Sequence, residues 1–153
     1  MPEIFLHDPL TGLYHRNYFF FRLNEEISRA KRKGVPLCLV FVDMDFFKMI
    51  NDNFGHQVGD EVLKQFAENI RNFLRESDLI FRYGGDEFVI ILPDVPLDDA
   101  VKIAQRVKEQ LESQGYGPTK NLKLSISMGI SQFPIDGLTA DELLKAADER
   151  ALN

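Results

Sequence analysis

Four acidic residues occupy two short segments of the sequence, Asp43-Met44-Asp45 and Gly84-Gly85-Asp86-Glu87. Carboxylates that are brought together repel one another unless a cation lies between them. Hard divalent ions such as Mg²⁺ commonly bind one or two carboxylates together with substrate phosphates. The alternative is that each acid only marks a turn or a strand end, where Asp and Glu are common. Only the metal site requires the two segments to lie close together.

The pattern of apolar residues predicts the elements that must position these segments. Strands are predicted over residues 35–42, 79–83, 88–92 and 122–130, and helices over 18–30, 60–75, 97–114 and 138–152. The first strand is apolar throughout, as in a strand buried on both faces. Paired glycines, predicted to supply the positive φ angles of a tight turn, join the two middle strands as a hairpin. This order of elements predicts an α+β fold with helices packed on a mainly antiparallel sheet.

The connection between the predicted strands 35–42 and 79–83 is long and helical, as a crossover between parallel strands requires. If these strands are parallel, the end of the first lies at the same edge of the sheet as the hairpin turn. We therefore expect Asp43 and Asp45 to face Asp86 and Glu87 across a short gap. This arrangement favours the metal site over the turn interpretation.

Residues 51–60, Asn-Asp-Asn-Phe-Gly-His-Gln-Val-Gly-Asp, are predicted to form a polar loop interrupted by glycines. Asn51 offers both a donor and an acceptor, and Asp60 can accept two N–H bonds, a combination that suits the edge of a guanine. Asp60 could equally be the N-cap of the helix that follows. His56 suits a ligand contact or a hydrogen bond to a backbone group equally well, since imidazole serves both purposes.

The composition excludes several classes of protein. Among 153 residues, 18 Lys and Arg stand against 24 Asp and Glu, a formal net charge of −6 that argues against a nucleic-acid partner or a polybasic membrane contact. A single cysteine, Cys38, excludes an internal disulfide and a cysteine-based zinc site. No apolar stretch approaches the roughly 18 residues of a membrane span, and no signal peptide is evident. We expect one cytoplasmic domain with no membrane segment in this chain.

Four segments of the sequence combine into one specific pattern. Residues 82–88 read Arg-Tyr-Gly-Gly-Asp-Glu-Phe, and residues 8–16 read Asp-Pro-Leu-Thr-Gly-Leu-Tyr-His-Arg. Between them stand residues 43–52, Asp-Met-Asp-Phe-Phe-Lys-Met-Ile-Asn-Asp, followed by Phe54-Gly55-His56 and Gly59-Asp60. In these motifs the sequence resembles the GGDEF family, the diguanylate cyclases, with residues 82–88 similar to its signature and residues 8–16 to its opening motif. The resemblance covers nearly the whole chain, which we take as one domain over residues 1–153, with the motifs in order and at the expected spacings.

The resemblance implies a palm-like fold similar to adenylyl cyclases and polymerases. It also implies a reaction in which two GTP molecules become cyclic di-GMP and two pyrophosphates. Each 3′-hydroxyl would attack the α-phosphate of the other nucleotide. Because one domain would bind one GTP, the resemblance further implies a homodimer with two half-sites face to face.

Carried over by position, the resemblance implies that Asp43, the carbonyl of Met44 and Asp86 hold Mg²⁺ or Mn²⁺. Asp86 would also accept a proton, Glu87 would complete the acidic turn, and Lys48 would stabilise charge in the transition state. The implied GTP-binding groups are the backbone N–H groups of Phe46 and Phe47 and the side chains of Lys48, Asn51, His56 and Asp60, with Asn51 and Asp60 contacting guanine. Without the motif, Lys48 would be taken as an exposed helix lysine. Phe46 and Phe47 are expected to be partly in the core.

The resemblance also implies an inhibitory site for cyclic di-GMP. Five residues separate Gly84 from Arg75-Glu76-Ser77-Asp78, which matches the family's Arg-x-x-Asp motif, and Arg106 matches a further arginine of that site. The planar fork of arginine suits phosphates or the Hoogsteen edge of guanine, and Asp78 could accept from guanine nitrogens. The alternative is an exposed ion pair at a helix end, worth under about 1 kcal/mol.

At its C-terminus the sequence departs from the family pattern. The family continues beyond residues 146–152 into Ala-Lys-x-x-Gly-Arg-Asn, whose Lys and Arg hold the terminal phosphates of GTP, whereas this sequence ends at Asn153. Lys145 and Arg150 do not match those positions. We therefore expect the missing groups to limit GTP affinity and turnover in this chain.

Three functions are compatible with the sequence. The first is a diguanylate cyclase domain with product inhibition, preceded in its parent protein by a sensor or receiver domain. The second is an inactive receptor that binds cyclic di-GMP or GTP, and the third is a dimerising domain without a ligand. The intact Gly-Gly-Asp-Glu-Phe turn favours the first, because a pure receptor would not need both acids.

Overall fold

The computed structural model describes residues 6–151. All eight predicted elements are present, and two short ones are added, the first strand and the second helix. In chain order the elements are β1 (Tyr14–His15), α1 (Arg16–Lys33), β2 (Leu37–Asp45), α2 (Phe47–Phe54), α3 (His56–Phe73), β3 (Leu79–Arg82), β4 (Glu87–Pro93), α4 (Leu97–Ser113), β5 (Ser125–Phe133) and α5 (Ala140–Ala151). Within residues 6–151, no helix is long and apolar enough to cross a membrane.

The five strands form one mixed sheet in the order β1-β3-β4-β2-β5. Only β1 and β3 pair in parallel; the other neighbouring pairs are antiparallel. Because β4 lies antiparallel between β2 and β3, these two strands run in the same direction, as the helical crossover predicts. The predicted α+β fold with a mainly antiparallel sheet is confirmed.

Helices cover both faces of the sheet, and β2 is buried between them. Its even-numbered residues, such as Val40 and Val42, pack in a cluster with apolar side chains of α3 and α4. Its odd-numbered residues, such as Leu39 and Phe41, pack with side chains of α1 and α5. Cys38 belongs to the first cluster, and its burial raises the pKa of the thiol to about 11, so this cysteine is buried and unreactive.

The polar loop predicted over residues 51–60 is wrong, because these residues are helical on both sides of one break. α2 ends at Phe54 and α3 begins at His56, and Gly55 joins them with a φ of 91°, a left-handed conformation that favours glycine. Asp60 is therefore the fifth residue of α3 and not its N-cap. Glycine content made the segment resemble a loop, although Gly55 alone provides the turn.

Two further expectations about local structure need correction. Gly84 and Gly85 are absent from the described glycines with positive φ, so the hairpin does not depend on that conformation. A Cβ added at Gly84 would overlap the end of the flexible Glu87 side chain, which would have to shift. Phe47 is buried as expected, but Phe46 is 75% exposed and does not join the core.

Candidate active site

Strand pairing brings the acidic segments together at one edge of the sheet. Asp43 on β2 lies opposite Glu87 on β4, and the backbone N–H of Met44 donates to the carbonyl of Asp86 over 3.1 Å. The expected approach of the two acidic segments is therefore found. It results from the register of two antiparallel neighbours, with β3 on the far side of β4.

The carboxylates at this edge disfavour one another's charge. Burial and the negative charges of Asp86, Glu87, Asp45 and Asp148 raise the pKa of Asp43 to about 6. Burial also raises the pKa of Glu87, assisted by Asp86 and Asp148 and opposed by Arg16. Each of these acids would be stabilised in its charged form by a cation placed between them.

Two of the charges that act on this edge were missed from the sequence. Asp148 lies on α5 and Arg16 is the first residue of α1, so both are distant in the chain from the acidic segments. The guanidinium of Arg16 lies over the ring of Tyr83, 4.3 Å from its centroid, and donates to the Tyr83 hydroxyl over 3.3 Å. In the sequence, the only indication that Arg16 acts on this edge was its position in the opening motif.

Asp45 differs from the other acids because β5 holds it. Its two carboxylate oxygens accept hydrogen bonds from the hydroxyls of Ser125, over 2.8 Å, and Ser127, over 2.7 Å. The expectation that Asp45, like Asp43, faces Asp86 and Glu87 is therefore wrong, because β5 lies on the side of β2 away from β4. Its side chain ties the end of β2 to β5, although its charge still contributes to the raised pKa of Asp43.

The oxygen ligands at this edge fit a hard divalent ion that keeps other ligands from water or substrate. Residues 6–151 contain no group of three or more His, Cys, Asp or Glu side chains arranged to hold a metal. A metal here would depend on two carboxylates, Asp43 and Asp86, and on a backbone carbonyl. Mg²⁺ is commonly bound in this way, through one or two carboxylates and substrate phosphates.

A cleft of about 270 Å³ adjoins the acidic edge. It brings together five of the residues expected in the site, and its lining consists of Phe47, Lys48, Asn51, Asp60, Leu63, Arg82, Gly85 and Asp86. Gly59 leaves room for Asn51, because an added Cβ would overlap the Oδ1 atom of that side chain. His56 is exposed at the start of α3 and does not line the cleft.

Arg82 is a site residue whose role was missed. Its guanidinium donates to both carboxylate oxygens of Asp8, over 3.2 and 3.3 Å, and to the carbonyl of Gly85 over 2.9 Å. Burial alone would raise the pKa of Asp8, but hydrogen bonds from Thr11 and the charge of Arg82 lower it below its usual value. The ion pair thereby ties the opening motif to the acidic turn.

The residues expected in the inhibitory site also lie around one cleft, of about 340 Å³. Arg75 and Arg106 line it, and Arg106 donates to the carbonyl of Phe73 over 3.2 Å. The Asp78 side chain is only 1% exposed and forms an ion pair with Arg75 at 2.7 Å. In this arrangement Asp78 orients Arg75, while the two arginines remain at the surface.

A mainly antiparallel sheet flanked by helices, with an acidic turn at its edge beside a small polar cleft, is a palm-like fold. The chain belongs to the GGDEF domain family, since the sequence model described as "Diguanylate cyclase, GGDEF domain" matches residues 5–153. The expected family membership and the palm-like fold are confirmed.

Relatives with the same domain include named diguanylate cyclases. The chain is 42% identical over 150 residues to the response regulator PleD of Caulobacter vibrioides, covering 96% of this chain and 33% of PleD. It is 34% identical over 143 residues to the diguanylate cyclase DosC of Escherichia coli K12, covering 93% of this chain and 31% of DosC. The chain thus spans about a third of the length of these relatives.

Solved structures give the same result. The GGDEF domain of YfiN (TpbB) from Pseudomonas aeruginosa matches with a TM-score of 0.89 and 37% identity, covering 95% of this chain and 86% of that one. The GGDEF domain of DgcB from Caulobacter crescentus, solved in complex with c-di-GMP, matches with a TM-score of 0.85 and 27% identity, covering 94% and 84%.

Proposed function

We propose that residues 1–153 act as one diguanylate cyclase domain, which condenses two GTP molecules into cyclic di-GMP and two pyrophosphates in the cytoplasm. The observation that carries this proposal is the position of the Asp43, Asp86 and Glu87 carboxylates beside the cleft that contains Lys48 and Asn51. The family is described by the name diguanylate cyclase, and DosC is named as a diguanylate cyclase. Both names support the same reaction. A sensor or receiver domain elsewhere in the parent protein would control it.

Asp43, the carbonyl of Met44 and Asp86 would hold Mg²⁺ or Mn²⁺. When bound, such an ion lowers the pKa of an attacking hydroxyl and offsets negative charge on the phosphate. Lys48 reaches the same cleft from α2 and adds a positive charge for the phosphates. The N–H groups at the start of α2, where Phe47 follows Phe46, have no side-chain cap and are suited to bind phosphate oxygens.

Asn51 and Asp60 reach the cleft from α2 and α3 and would orient the guanine through its polar edge. In each half-reaction the 3′-hydroxyl oxygen of one nucleotide forms a bond to the α-phosphorus of the other. The bond from that phosphorus to the bridging oxygen breaks, and pyrophosphate leaves. The hydroxyl proton passes to the carboxylate of Asp86. Two copies of the domain are needed, because each contributes one nucleotide.

The cleft that contains Arg75 and Arg106 would bind cyclic di-GMP as an inhibitor. Both guanidinium groups lie at its surface, where they can contact phosphates or the Hoogsteen edge of guanine. Asp78 would act by holding Arg75 in place. Arg75→Ala should therefore raise the inhibitory concentration of cyclic di-GMP by at least about tenfold, given that a good bidentate contact is worth about 1–3 kcal/mol. Equal inhibition of both proteins would remove the site.

The deciding experiment is a GTP assay with Mg²⁺. The chain is measured beside a version carrying the family's Ala-Lys-x-x-Gly-Arg-Asn segment at its C-terminus. We expect cyclic di-GMP and pyrophosphate from the extended version at least, no product after Asp86→Ala, and unchanged turnover after Glu109→Ala, an exposed acid on α4. Activity that survives Asp86→Ala would contradict the site, and binding of GTP without turnover by both versions would contradict the enzyme.

A further inference from the structure

A large cleft lies at the end of β2 opposite the acidic edge. Its volume is about 760 Å³, against about 270 Å³ for the cleft beside Asp86, and it is within the range of about 300–1,000 Å³ of sites that hold small molecules. We call it the distal groove. Its lining consists of Ile27, Ser28, Ala30, Lys31, Gly34, Val35, Pro36, Phe133, Pro134 and Leu138.

The lining of the distal groove is mostly apolar. Seven of its ten residues have apolar side chains, and the two prolines have no backbone N–H to offer. Gly34 leaves space at the end of α1, because an added Cβ would meet no atom within 4 Å. Leu138 lines the groove and is nevertheless 67% exposed. An apolar lining gives water few hydrogen-bond partners, so an apolar molecule can displace it favourably.

Lys31 is the only charged residue in this lining. No acidic residue stands three or four positions from it in the sequence, where a helix would bring the two side chains together. Within residues 6–151, Lys31 takes part in no ion pair, whereas Arg22 and Arg29 on the same helix are both paired with acids. A molecule in the groove would therefore meet apolar walls, one unpaired positive charge and the hydroxyl of Ser28.

The size and charge of the groove favour a small molecule over a protein or a membrane. A stable protein interface involves about 20–30 residues on each side, more than the ten that line the groove. A membrane contact needs several cations on one surface, and the net charge of −6 opposes the approach to an anionic bilayer. Arg32 and Lys33 follow Lys31 along α1, but neither lines the groove.

We propose that the distal groove binds a small apolar molecule that carries one negative charge, such as a medium-chain carboxylate. The apolar part contacts the groove walls, and Lys31 binds the anionic group. Pro36 in the groove and Asp43 at the acidic edge are separated by seven residues of extended chain, about 20–25 Å. The site is therefore distinct from the acidic edge and does not depend on the proposed function.

Two fluorescent probes test the match of charge. Anilinonaphthalene sulfonate is an apolar ring system with one negative charge, and phenylnaphthylamine is the same ring system without it. We expect one site for the sulfonate, with a dissociation constant of about 10–100 μM for a ligand of this size. Lys31→Ala should raise this constant at least about threefold, since an exposed charge is screened by solvent, and should change the constant of the uncharged probe less than about twofold.

The matched control is Lys33→Ala, which removes the same charge from the same helix outside the groove. It should change neither constant more than about twofold, because Lys33 does not line the groove. Equal weakening of the sulfonate probe by Lys31→Ala and Lys33→Ala would overturn the proposal, because the probe would then respond only to the overall charge.

A second pair of variants tests the apolar wall. Leu138→Asn should weaken both probes at least about threefold, because it removes apolar surface from the lining. Ile135→Asn is the control, since Ile135 is 75% exposed in the same connection but does not line the groove. Thermal unfolding shows whether the variants are folded, and Lys31→Ala, which alters an exposed side chain, decides alone if Leu138→Asn is not.

Amide correlation spectra locate the bound sulfonate probe. We expect the largest shifts at Gly34 and Val35, and decanoate should displace the probe at a lower concentration than decanol. Shifts concentrated at Asn51 and Gly85 would place the probe in the cleft beside the acidic edge and overturn the proposal. It is also overturned if the folded chain binds neither probe, or if Lys31 is needed for sedimentation with phosphatidylglycerol vesicles while decanoate displaces nothing.

Discussion

Replacing Asp43 by asparagine should stabilise the chain when no divalent ion is present. At the acidic edge the pKa of Asp43 rises from 3.8 to about 6, first through burial and then through Asp86 and Glu87. One pKa unit corresponds to 1.36 kcal/mol, so the charged form is disfavoured by about 3 kcal/mol. Because the carboxylate is partly exposed and solvent screens its neighbours, we expect an observed effect of about 1–3 kcal/mol.

The sign of the effect depends on pH. Asparagine has the shape of the protonated acid, so the two proteins should be equally stable below pH 3.8, where Asp43 is protonated in both folded and unfolded chains. Above about pH 6 the folded chain must carry the disfavoured charge. Asp43→Asn should therefore be the more stable protein at pH 8, and its advantage should decline as the pH falls from 6 towards 4.

The measurement is thermal unfolding of Asp43→Asn and the unsubstituted chain in EDTA at pH 8 and pH 4. For a domain of this size, 1 kcal/mol corresponds to about 2–4 °C, so we expect the variant to melt about 2–12 °C higher at pH 8. Glu109→Gln, on the exposed side of α4, is the control and should leave the melting temperature unchanged.

Adding Mg²⁺ should reverse the order of stability, because an ion that binds only the folded state stabilises it. The unsubstituted chain should gain more than Asp43→Asn, which lacks one carboxylate ligand. The reasoning is refuted if Asp43→Asn is no more stable at pH 8 than the unsubstituted chain. An advantage that persists at pH 4 would show that it arises from packing instead of charge.

Three further substitutions test other parts of the site. Asp8→Asn should lower the unfolding free energy by about 2–4 kcal/mol in urea titrations, since it leaves the charge of Arg82 without its carboxylate partner; a loss under about 0.5 kcal/mol would contradict this. Gly59→Ala should displace the end of the Asn51 side chain and weaken GTP binding about tenfold by calorimetry, with little change in stability; unchanged affinity would contradict the assignment of Asn51. Gly129→Ala should cost about 2–3 kcal/mol, because its Cβ would overlap the backbone of α5; an unchanged urea midpoint would exclude that close approach.

The sheet and its helices could be predicted because their apolar patterns are long and regular. The helix predicted over residues 97–114 is α4, Leu97–Ser113, and the buried strand predicted from residue 35 is β2, Leu37–Asp45. The facing of Asp43 and Glu87 followed from the direction of the strands. The family resemblance then named five of the residues that line the cleft beside the acidic edge, which are Phe47, Lys48, Asn51, Asp60 and Asp86.

The errors have a common physical origin, which is that a residue's role depends on neighbours distant in the chain. Gly59 looks like a loop signal but lies inside α3, where the absent Cβ leaves room for Asn51. Asp45 looks like part of the acidic cluster, but Ser125 and Ser127 on β5 bind it. Arg82 belongs to the signature motif, yet its contact with Asp8 is 74 residues away.

The ion pairs of the domain neutralise several acids elsewhere and leave unpaired negative charge at the acidic edge. Three acids elsewhere, Asp8, Asp94 and Asp136, are each paired with an arginine, and each has a lowered pKa. Asp43 and Glu87 take part in no ion pair within residues 6–151, and both have a raised pKa. One more arginine at the acidic edge would lower the free-energy cost of placing these charged carboxylates together. Such a residue would occupy the position of the proposed cation, so the unpaired carboxylates that lower stability are the same groups that are proposed to bind it.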